Sequence, residues 1–529
     1  MLVADGVRPD TLAAAIDAGA LPALARLRAE GGLHTVTTVF PSVTGPAYAP
    51  FLMGRFPGPV GLPGLRWYDR ERAVTSFPHW ARSYVGSEMR KVDGDLDPAA
   101  PTLFELASPS LGALNVIGRG LPAAAREGRS IAFALRAAYT HFRGDVRGWL
   151  DIDRSIGSRI AERIRRERPA FTFCALTGID KTSHAAGHGA PIVQHAMEIV
   201  DDTAATIRAD AEHDGRWNSM QLWIVSDHGH SPVTAHDDLA ALIRSWGHRV
   251  TAHPWLRSPK KNGRDVAVMV SGNAMAHLYL DLEQRKRAWW PALAPAWNAF
   301  ASQLLERDSV DLLLLPTDSR NCEVRSADRG TAIVSTENGR FSYRPMTGDP
   351  LGIGPHSALT ADEAYDATIR SDYPARSRSC RLPTSPEARA AAISFYRRHG
   401  TGIFGPSGSR FRTCRHTGRC TANICSCRCL LIGRWCVCHA EPQTSCQVCC
   451  AHSGAAFPRD STAQLFCSVR VTPPATMAHR QGFAAVRQGP PAVVATRPPA
   501  HAENAAQKNA GQRPNSSAAS RRRQSRQTQ

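Results

Sequence analysis

The chain has 529 residues and a formal net charge of +18 at pH 7. This charge belongs to the C-terminal part, because residues 1–374 carry 41 Lys and Arg against 42 Asp and Glu, whereas residues 375–529 carry 23 against 4. The first part therefore lacks the basic surplus of a protein that binds nucleic acid specifically. It is long enough for a large enzyme domain.

Cysteine usage and hydropathy predict no secretion and no membrane span. Eleven of the 14 cysteines lie between Cys414 and Cys467, and only Cys174 and Cys322 lie in the first part, which therefore needs no disulfides. No apolar run reaches the ~18 residues of a membrane span, and no secretory leader precedes the first strand. We expect a cytoplasmic protein whose true start codon lies upstream of Met1, because the first strand is very short.

The predicted elements of the first part alternate between strands and amphipathic helices. The β-branched segment His34–Phe40 and the apolar runs Phe171–Leu176 and Gln221–Val225 are typical of strands that helices cover on both faces. The predicted helices are Asp10–Ala18, Leu21–Glu30, Ala47–Met53, Ile152–Arg168 and Val193–Ala211. This alternation predicts an α/β fold with a doubly wound, mostly parallel sheet flanked by helices.

The pattern changes to strands and hairpins after residue 255. Thr331–Ser335 and Arg340–Arg344 are strand-like and flank Asn338-Gly339, a strong two-residue hairpin signal. The predicted domains are a catalytic core over 1–255, an inserted α+β subdomain over 256–350, a return to the core over 351–374 and a largely disordered basic tail over 375–529.

Acidic residues follow three of the predicted strands. Asp5 follows the apolar run at the N-terminus, Asp180 comes soon after Leu176, and Asp227 comes soon after Val225. In open α/β sheets, ligands bind at the carboxyl ends of the strands. We therefore expect these three carboxylates to converge at one edge of the sheet.

Two histidines form pairs with these carboxylates. His228 is adjacent to Asp227, and a turn lets both side chains face one ion as an oxygen and nitrogen pair suited to zinc or manganese. His184 lies four residues after Asp180, which places both on one face of a helical turn. Two divalent ions, most suitably zinc, can then clamp the attacking and leaving oxygens of a phosphoryl displacement.

Thr44 is the predicted nucleophile. It follows Phe40-Pro41-Ser42 and precedes the helical run Ala47–Met53, so we expect its hydroxyl at a helix N-terminus. Backbone N–H groups there favour both an alkoxide and a phosphate. Coordination to a metal would lower the pKa of the hydroxyl and make it reactive.

Each motif taken alone has a simpler structural explanation. Asp5 can belong to a turn, Asp227 can cap a turn, and Thr44 can be a helix N-cap. Their joint occurrence, in order and at strand ends, favours a catalytic site. We interpret His188 and His230 as loop histidines with satisfied hydrogen bonds.

The order of these motifs resembles the alkaline phosphatase superfamily, and within it the type I phosphodiesterase/nucleotide pyrophosphatase branch, over roughly residues 1–374. The shared motifs are an Asp-Gly near the start, a Pro-Ser-x-Thr segment, an Asp-x-x-x-His and an Asp-His-Gly. The resemblance implies a metal-dependent hydrolase of small phosphate esters that forms a covalent phosphothreonine. It implies one zinc ion held by Asp5, Thr44, Asp227 and His228, and a second held by Asp180 and His184.

The chain departs from the family pattern in three places. Ala47 stands where nucleotide pyrophosphatases typically have an Asn that holds a phosphate oxygen, and Ser183 replaces the usual Gly before the metal-binding His. The family's second metal has a further histidine from a late His-Gly segment. His399-Gly400 has these letters but lacks a surrounding strand pattern. The resemblance therefore implies the reaction class but not nucleotide specificity.

The tail, residues 375–529, has the composition of a GC-rich gene translated in the wrong frame, with 22 Arg but one Lys. When the last base of each codon is joined to the first two of the next, His416 to Cys429 permits the string H-G-A-L-H-R-E-H-M-L-V-P-L. This string resembles the closing motif of the family, including its metal histidine. The same shift over Ala391 to Arg398 permits G-D-I-V-L-S-A, a strand-like string. We hypothesise a frameshift near residues 375–390.

Two other function classes stay open. A chain that has lost its last metal histidine would be an inactive, degraded enzyme. Alternatively, the Cys-rich tail with its C-x-x-C at Cys446–Cys449 would form a metal-binding module, or its Arg-rich end would bind polyanions without selectivity.

Overall fold

The computed structural model describes residues 1–373 except 71–80, 84–86, 234–235, 253–264, 273, 283 and 285, together with residues 393–397, 403–404 and 428–433. All of these residues belong to one compact unit, Met1–Val471. Its described strands in chain order are β1 (Leu2–Ala4), β2 (Leu33–Thr37), β3 (Arg66–Tyr68), β4 (Ala81–Ser83), β5 (Ser110–Ala113), β6 (Arg126–Glu127), β7 (Phe171–Leu176), β8 (Trp223–Val225), β9 (His236–Asp237), β10 (Val250–Ala252), β11 (Val266–Val270), β12 (Met275–Leu280), β13 (Val310–Pro316), β14 (Asn321–Ser326), β15 (Gly330–Glu337), β16 (Arg340–Gly348), β17 (His356–Leu359), β18 (Ile393–Arg397), β19 (Ile403–Phe404) and β20 (Arg428–Gly433).

The described α-helices are α1 (Pro9–Asp17), α2 (Pro22–Gly31), α3 (Ala49–Met53), α4 (Leu103–Leu106), α5 (Ile131–Arg143), α6 (Val146–Glu167), α7 (Gly178–Ala186), α8 (Pro191–His213), α9 (Leu239–Ser245), α10 (Trp290–Leu305) and α11 (Ala361–Thr368). None of these helices has both the length and the apolarity needed to cross a lipid bilayer.

The first sheet carries the strands that end at the predicted site. Its order is β2–β20–β8–β1–β7–β5–β6. Strand β1 pairs in parallel with β7 and β8, and β5 pairs in parallel with β6 and β7, whereas β20 is antiparallel to β2 and β8. The sheet is therefore mostly parallel, as predicted.

The central strands are buried on both faces because successive side chains enter different cores. Val3, Phe173 and Val225 belong to a core shared with α3 and α4. Their neighbours Leu2 and Cys174 belong to a second core formed with α1, α2, α6 and α8. This double cover explains the continuous apolar runs of β7 and β8, and it confirms the predicted α/β fold class.

Helix α6 shows how local sequence sets a helix boundary. The Asp145 side chain accepts a hydrogen bond of 2.9 Å from the Gly148 amide and caps the helix start. Ile152, Ile156 and Ile160 lie four residues apart and are all buried. The apolar periodicity predicted the helix from Ile152, and the cap extends it by six residues toward the N-terminus.

The second sheet has the order β10–β11–β12–β18–β13–β14–β15–β16–β17. Its pairs are antiparallel except for β10 with β11. The predicted hairpin joins β15 and β16, and its two turn residues have positive φ, 47° at Asn338 and 77° at Gly339, as a type I′ turn requires. The bounds of the predicted domains stay a prediction.

Three short strands lie within the predicted tail. Strand β18 pairs with β12 and β13, and β20 pairs with β2 and β8. The expectation that the residues before His399-Gly400 lack a strand is therefore wrong. Apolar Ile393 and Phe395 alternate with polar Ser394, and two neighbouring strands supply hydrogen bonds. His399-Gly400, Cys446–Cys449 and the rest of the tail predicted to be disordered lie outside the described residues.

Candidate metal-dependent active site

Three neighbouring parallel strands deliver the predicted carboxylates to one edge of the first sheet. Ala4 pairs with Leu176, and Val3 pairs with Val225, so β1, β7 and β8 end at the same level. Asp5 directly follows β1, and its amide donates a hydrogen bond of 3.1 Å to the Leu176 carbonyl. Asp180 lies in the first turn of α7 after β7, and Asp227 follows β8. The side chains of these aspartates are almost fully buried.

Thr44 points its hydroxyl into this edge. Thr44 Oγ1 lies 3.1 Å from Asp5 Oδ1 and 3.1 Å from His228 Nε2. The residue precedes a short 3-10 turn, Pro46–Tyr48, that continues into α3. The predicted helix after Thr44 is thus present, although its first turn is a 3-10 turn.

Tyr48 is a residue of the site that the sequence analysis did not predict. Its hydroxyl donates a hydrogen bond of 3.1 Å to Asp5 Oδ2, so Asp5 receives one donor from Tyr48 and one from Thr44. The Tyr48 ring packs edge-on against Phe173, with 5.3 Å between ring centroids. The only signal in the sequence is its spacing of four residues from Thr44, which corresponds to one helical turn.

Asp227 and His228 are held by the turn that follows β8. The Gly6 amide donates a hydrogen bond of 3.2 Å to Asp227 Oδ1, and the Ser226 hydroxyl donates one of 2.6 Å to the His228 carbonyl. His228 Nε2 lies 3.5 Å from Asp227 Oδ2 and 3.5 Å from Asp5 Oδ1. Asp5, Thr44, Asp227 and His228 thus form one group, the first group.

A second group surrounds Asp180. Asp180 Oδ1 lies 3.2 Å from His184 Nε2 and 3.1 Å from His230 Nε2, while Asp180 Oδ2 accepts a hydrogen bond of 2.8 Å from the Lys181 ammonium. His230 lies in a loop, as interpreted, but its side chain is 10% exposed and lies among the predicted ligands. Its Nε2 has no hydrogen-bond partner among the described residues, so the expectation that its hydrogen bonds are satisfied is wrong. The sequence carried no signal beyond its place two residues after His228. His188, in contrast, lies 3.2 Å from the Thr11 hydroxyl and outside both groups.

The two groups adjoin each other at Asp180. Ligand atoms of Asp180, His184 and His230 all lie within 4.8 Å of one another, and so do those of Asp5, Asp180 and His228. The structure therefore brings all six predicted site residues together, although more than 200 positions of sequence separate Asp5 from His228.

Asp153 is a further residue that sequence reasoning missed. It lies on α6, and its carboxylate accepts hydrogen bonds of 3.1 Å from the Thr177 amide and 2.5 Å from the Gly178 amide. These amides are at the start of α7, which carries Asp180 and His184. Burial raises the pKa of Asp153 to about 7, even though the two amide hydrogen bonds lower it.

The site concentrates negative charge in a buried space. Burial raises the pKa of the Asp5 carboxyl well above its usual range, and the Asp227 and Asp180 carboxylates raise it further. Burial also raises the pKa of Asp227. The pKa of Asp180 is lowered, because Lys181 and His184 together outweigh its burial. Burial lowers the pKa of His230 to about 4.

The donor set fits divalent cations. Carboxylate oxygens and imidazole nitrogens are ligands of zinc and manganese. Burial and, after it, neighbouring carboxylates raise the pKa values of Asp5 and Asp227, and a bound cation would stabilise the ionised carboxylates. The first group could hold one ion, and Asp180 with His184 could hold another.

Comparisons with known proteins agree with this geometry. A family model described as type I phosphodiesterase/nucleotide pyrophosphatase matches residues 1–292. No curated protein sequence matches the chain. A similar solved structure is the phosphonoacetate hydrolase of Sinorhizobium meliloti in complex with phosphonoformate. The alignment covers 86% of this chain and 94% of the hydrolase, with 15% sequence identity and a TM-score of 0.50.

A second solved structure is the murine ectonucleotide pyrophosphatase/phosphodiesterase 5, as an inactive variant in complex with AMP. It aligns with 86% of this chain and 95% of its own, at 13% identity and a TM-score of 0.46. The family model covers more than half of the chain, and the bacterial hydrolase shares its fold. The chain therefore belongs to the type I phosphodiesterase/nucleotide pyrophosphatase family, and it is a hydrolase of that type.

Proposed function

We propose that the chain hydrolyses small phosphate esters with Thr44 as the nucleophile and two divalent ions as cofactors. One observation carries this proposal: Thr44 Oγ1 lies within hydrogen-bond distance of both Asp5 and His228, at the sheet edge where the carboxylates converge. A threonine used only as a helix cap needs neither contact.

Zinc is the metal that best suits the donors, with manganese as the alternative. The first ion would be held by Asp5, Thr44, Asp227 and His228. The second would be held by Asp180 and His184. When bound, the ions supply positive charge that stabilises an ionised Thr44 oxygen and the phosphate oxygens.

The residues of the chain provide the nucleophile and its orientation. Thr44 Oγ1 forms a bond to phosphorus while the ester oxygen leaves and takes up a proton, which gives a phosphothreonine. Water then attacks the phosphorus, and the bond to Thr44 breaks to restore the hydroxyl and release the phosphate product. Asp5 and His228 fix the Thr44 oxygen through both steps, and Tyr48 fixes Asp5.

The test is turnover by the zinc-loaded full chain on a nitrophenyl phosphodiester, a nitrophenyl phosphomonoester, a dinucleotide pyrophosphate and phosphonoacetate. Phosphonoacetate belongs in the panel because the solved bacterial structure is that of a phosphonoacetate hydrolase. We expect a Thr44→Ala variant to lose roughly a thousandfold or more in kcat. Thr35→Ala, a change at an exposed threonine on β2, is the matched control and should keep full activity.

Two results would argue against this assignment. Thr44→Ala with unchanged kcat would exclude Thr44 as the nucleophile. Bound zinc without turnover of any substrate would favour the second candidate, an inactive degraded enzyme. The observation that favours this candidate is the composition of residues 375–529, which have 22 Arg but one Lys. The frameshift stays a hypothesis, and the coding DNA over codons 370–440 tests it directly.

A further inference from the structure

His230 faces the same oxygen atom as His184. Asp180 Oδ1 lies 3.1 Å from His230 Nε2 and 3.2 Å from His184 Nε2, and the two rings are nearly perpendicular, with 4.6 Å between their centroids. Two nitrogens and one carboxylate oxygen thus converge on one small volume.

Lys181 directs the Asp180 carboxylate toward that volume. The Lys181 ammonium donates a hydrogen bond of 2.8 Å to Asp180 Oδ2, so Oδ1 is the oxygen that lies near the two imidazoles. A single histidine would be enough to form a hydrogen bond with Asp180 Oδ1, but two histidines lie within reach of this oxygen. One oxygen and two imidazole nitrogens are the protein ligand set of many catalytic zinc sites, which leave a further position open for water or substrate.

The backbone around His230 is shaped to hold it there. Gly6 has φ of +75°, and a Cβ atom on it would lie 2.8 Å from His230 Nε2, so the absence of that atom makes room for the ring. The Arg8 guanidinium donates a hydrogen bond of 2.6 Å to the His230 carbonyl. The N-terminal segment that supplies Asp5 therefore also positions His230.

We propose that His230 is the third protein ligand of the ion held by Asp180 and His184. This inference rests on the proposed function and extends it, because the second metal site is then complete within residues 1–230. The late histidine that the resemblance places in the tail is not needed. The chain then requires no residue beyond β8 and its following loop to bind both ions.

Metal binding to the full-length chain tests this without any assay of turnover. Chelator-treated protein is titrated with zinc by calorimetry, and bound zinc is counted by mass spectrometry after gel filtration. We expect two zinc ions on the unmodified chain. With His230→Ala or His230→Gln, we expect one ion, or a second ion bound at least about tenfold more weakly, a loss of about 1.4 kcal/mol.

Two histidine variants serve as controls. His188→Ala removes a histidine of a nearby loop that bonds Thr11 rather than Asp180, and His399→Ala removes the tail candidate. Both should keep two ions of unchanged affinity. In the cobalt-substituted protein, only the His230 variants should change the visible absorption of the second ion, because only they remove a nitrogen ligand.

The outcomes separate this inference from the proposed function. If His230→Gln keeps two ions of unchanged affinity while His399→Ala loses one, the tail supplies the ligand and the inference is overturned, while the two-metal hydrolase stands. If the unmodified chain binds fewer than two ions, both the inference about His230 and the proposed two-metal hydrolase are contradicted. The glutamine variant retains most of the side-chain volume, so it guards against a loss of binding that follows from misfolding.

Discussion

The carboxylate of Asp153 accepts a hydrogen bond of 2.5 Å from the amide of Gly178, the first residue of α7. This contact joins α6 to the helix that carries Asp180 and His184. The amides at a helix start have no partner within the helix, so a buried acceptor from a neighbouring helix both satisfies them and sets the position of the helix. The positions of Asp180 and His184 therefore depend on Asp153, which holds the start of their helix.

Asp153→Asn should change how stability depends on pH. The pKa of Asp153 is about 7 in the folded chain and near the ordinary aspartate value of 3.8 in the unfolded chain. Between these values the unfolded state releases the proton first, so this group lowers the free energy of unfolding as pH rises from about 4 to 7. Asparagine retains an oxygen acceptor and does not titrate.

Urea unfolding of the metal-depleted chain at pH 5 and pH 8 measures this effect. Relative to the unmodified chain, Asp153→Asn should gain about 1–3 kcal/mol in unfolding free energy between these two pH values. The control is Asp151→Asn, an exposed aspartate on the same helix, which should follow the unmodified chain. Identical pH dependence in Asp153→Asn and the unmodified chain would contradict the raised pKa.

Gly6→Ala should disturb the site through a steric clash, and Gly19→Ala provides a matched control. Gly6 and Gly19 have φ of +75° and +78°, but a Cβ atom on Gly6 meets His230 Nε2 at 2.8 Å and the Asp180 Cα at 3.1 Å, whereas one on Gly19 meets nothing within 4 Å. Both variants bear the cost of a left-handed backbone, roughly 1–2 kcal/mol. Gly6→Ala should lose roughly 1–3 kcal/mol more in unfolding free energy.

Zinc titration distinguishes the two glycine variants further. Gly6→Ala should bind zinc more weakly, because His230 or Asp180 must move, while Gly19→Ala should bind like the unmodified chain. Equal zinc affinity in both variants would mean that the Gly6 contact does not shape the site.

Tyr48→Phe should slow turnover while the protein stays folded. The variant removes the hydroxyl that donates to Asp5 Oδ2 but retains the ring that packs on Phe173. Loss of a hydrogen bond to a buried carboxylate costs about 1.5–3 kcal/mol, and Asp5 then holds Thr44 less firmly. We expect kcat to fall roughly tenfold or more.

Tyr68→Phe is the control for that experiment. Tyr68 is also buried, and its hydroxyl donates to the Leu282 carbonyl at 3.5 Å, away from the site. Its kcat should not change. Equal losses of kcat in both variants would assign the effect to general loosening of the fold.

Removal of metal should destabilise the folded chain as well as stop turnover. Without cations, the buried carboxylates of Asp5, Asp180 and Asp227 face one another, and the pKa of Asp5 is raised by burial and further by the other two. Ions that bind the folded state alone stabilise it, by about 2.7 kcal/mol at a concentration one hundred times the Kd.

Thermal unfolding with chelator and with added zinc measures this stabilisation. The melting temperature should rise with zinc in the unmodified chain and rise less in Asp227→Asn, which has one negative charge fewer for the cation to neutralise. A melting temperature that is independent of zinc in the unmodified chain would contradict a buried metal centre.

Several parts of the fold and site were predictable from sequence because they depend on local periodicity. Strand β7 was predicted at its observed bounds, because a continuous apolar run is typical of a parallel strand that helices cover on both faces. The spacing of Asp180 and His184 predicted a shared helical face, and both lie on α7. The order of acidic motifs after strands predicted their convergence, because parallel strands end at one edge.

The roles of Tyr48, Asp153 and His230 were not predictable in the same way. Each depends on which side chain a distant segment brings within about 3 Å, and neither periodicity nor residue type encodes that. His230 follows His228 in a loop, where the chain has no fixed period, so its direction is set by contacts with Gly6, Arg8 and Asp180. The strand β18 was missed for a related reason, since its pairing partners lie 80 or more residues away along the chain.

The amino-acid sequence by itself determined the hydrolase family, the doubly wound sheet and six of the residues that meet at its edge, because apolar patterns and motif order are properties of the chain. Only the tertiary structure decided that His230 joins Asp180 and His184, that Asp153 positions the helix that carries Asp180 and His184, and that Tyr48 supports Asp5. Long-range packing sets those distances, and a difference of a few ångströms separates a metal ligand from an ordinary loop histidine.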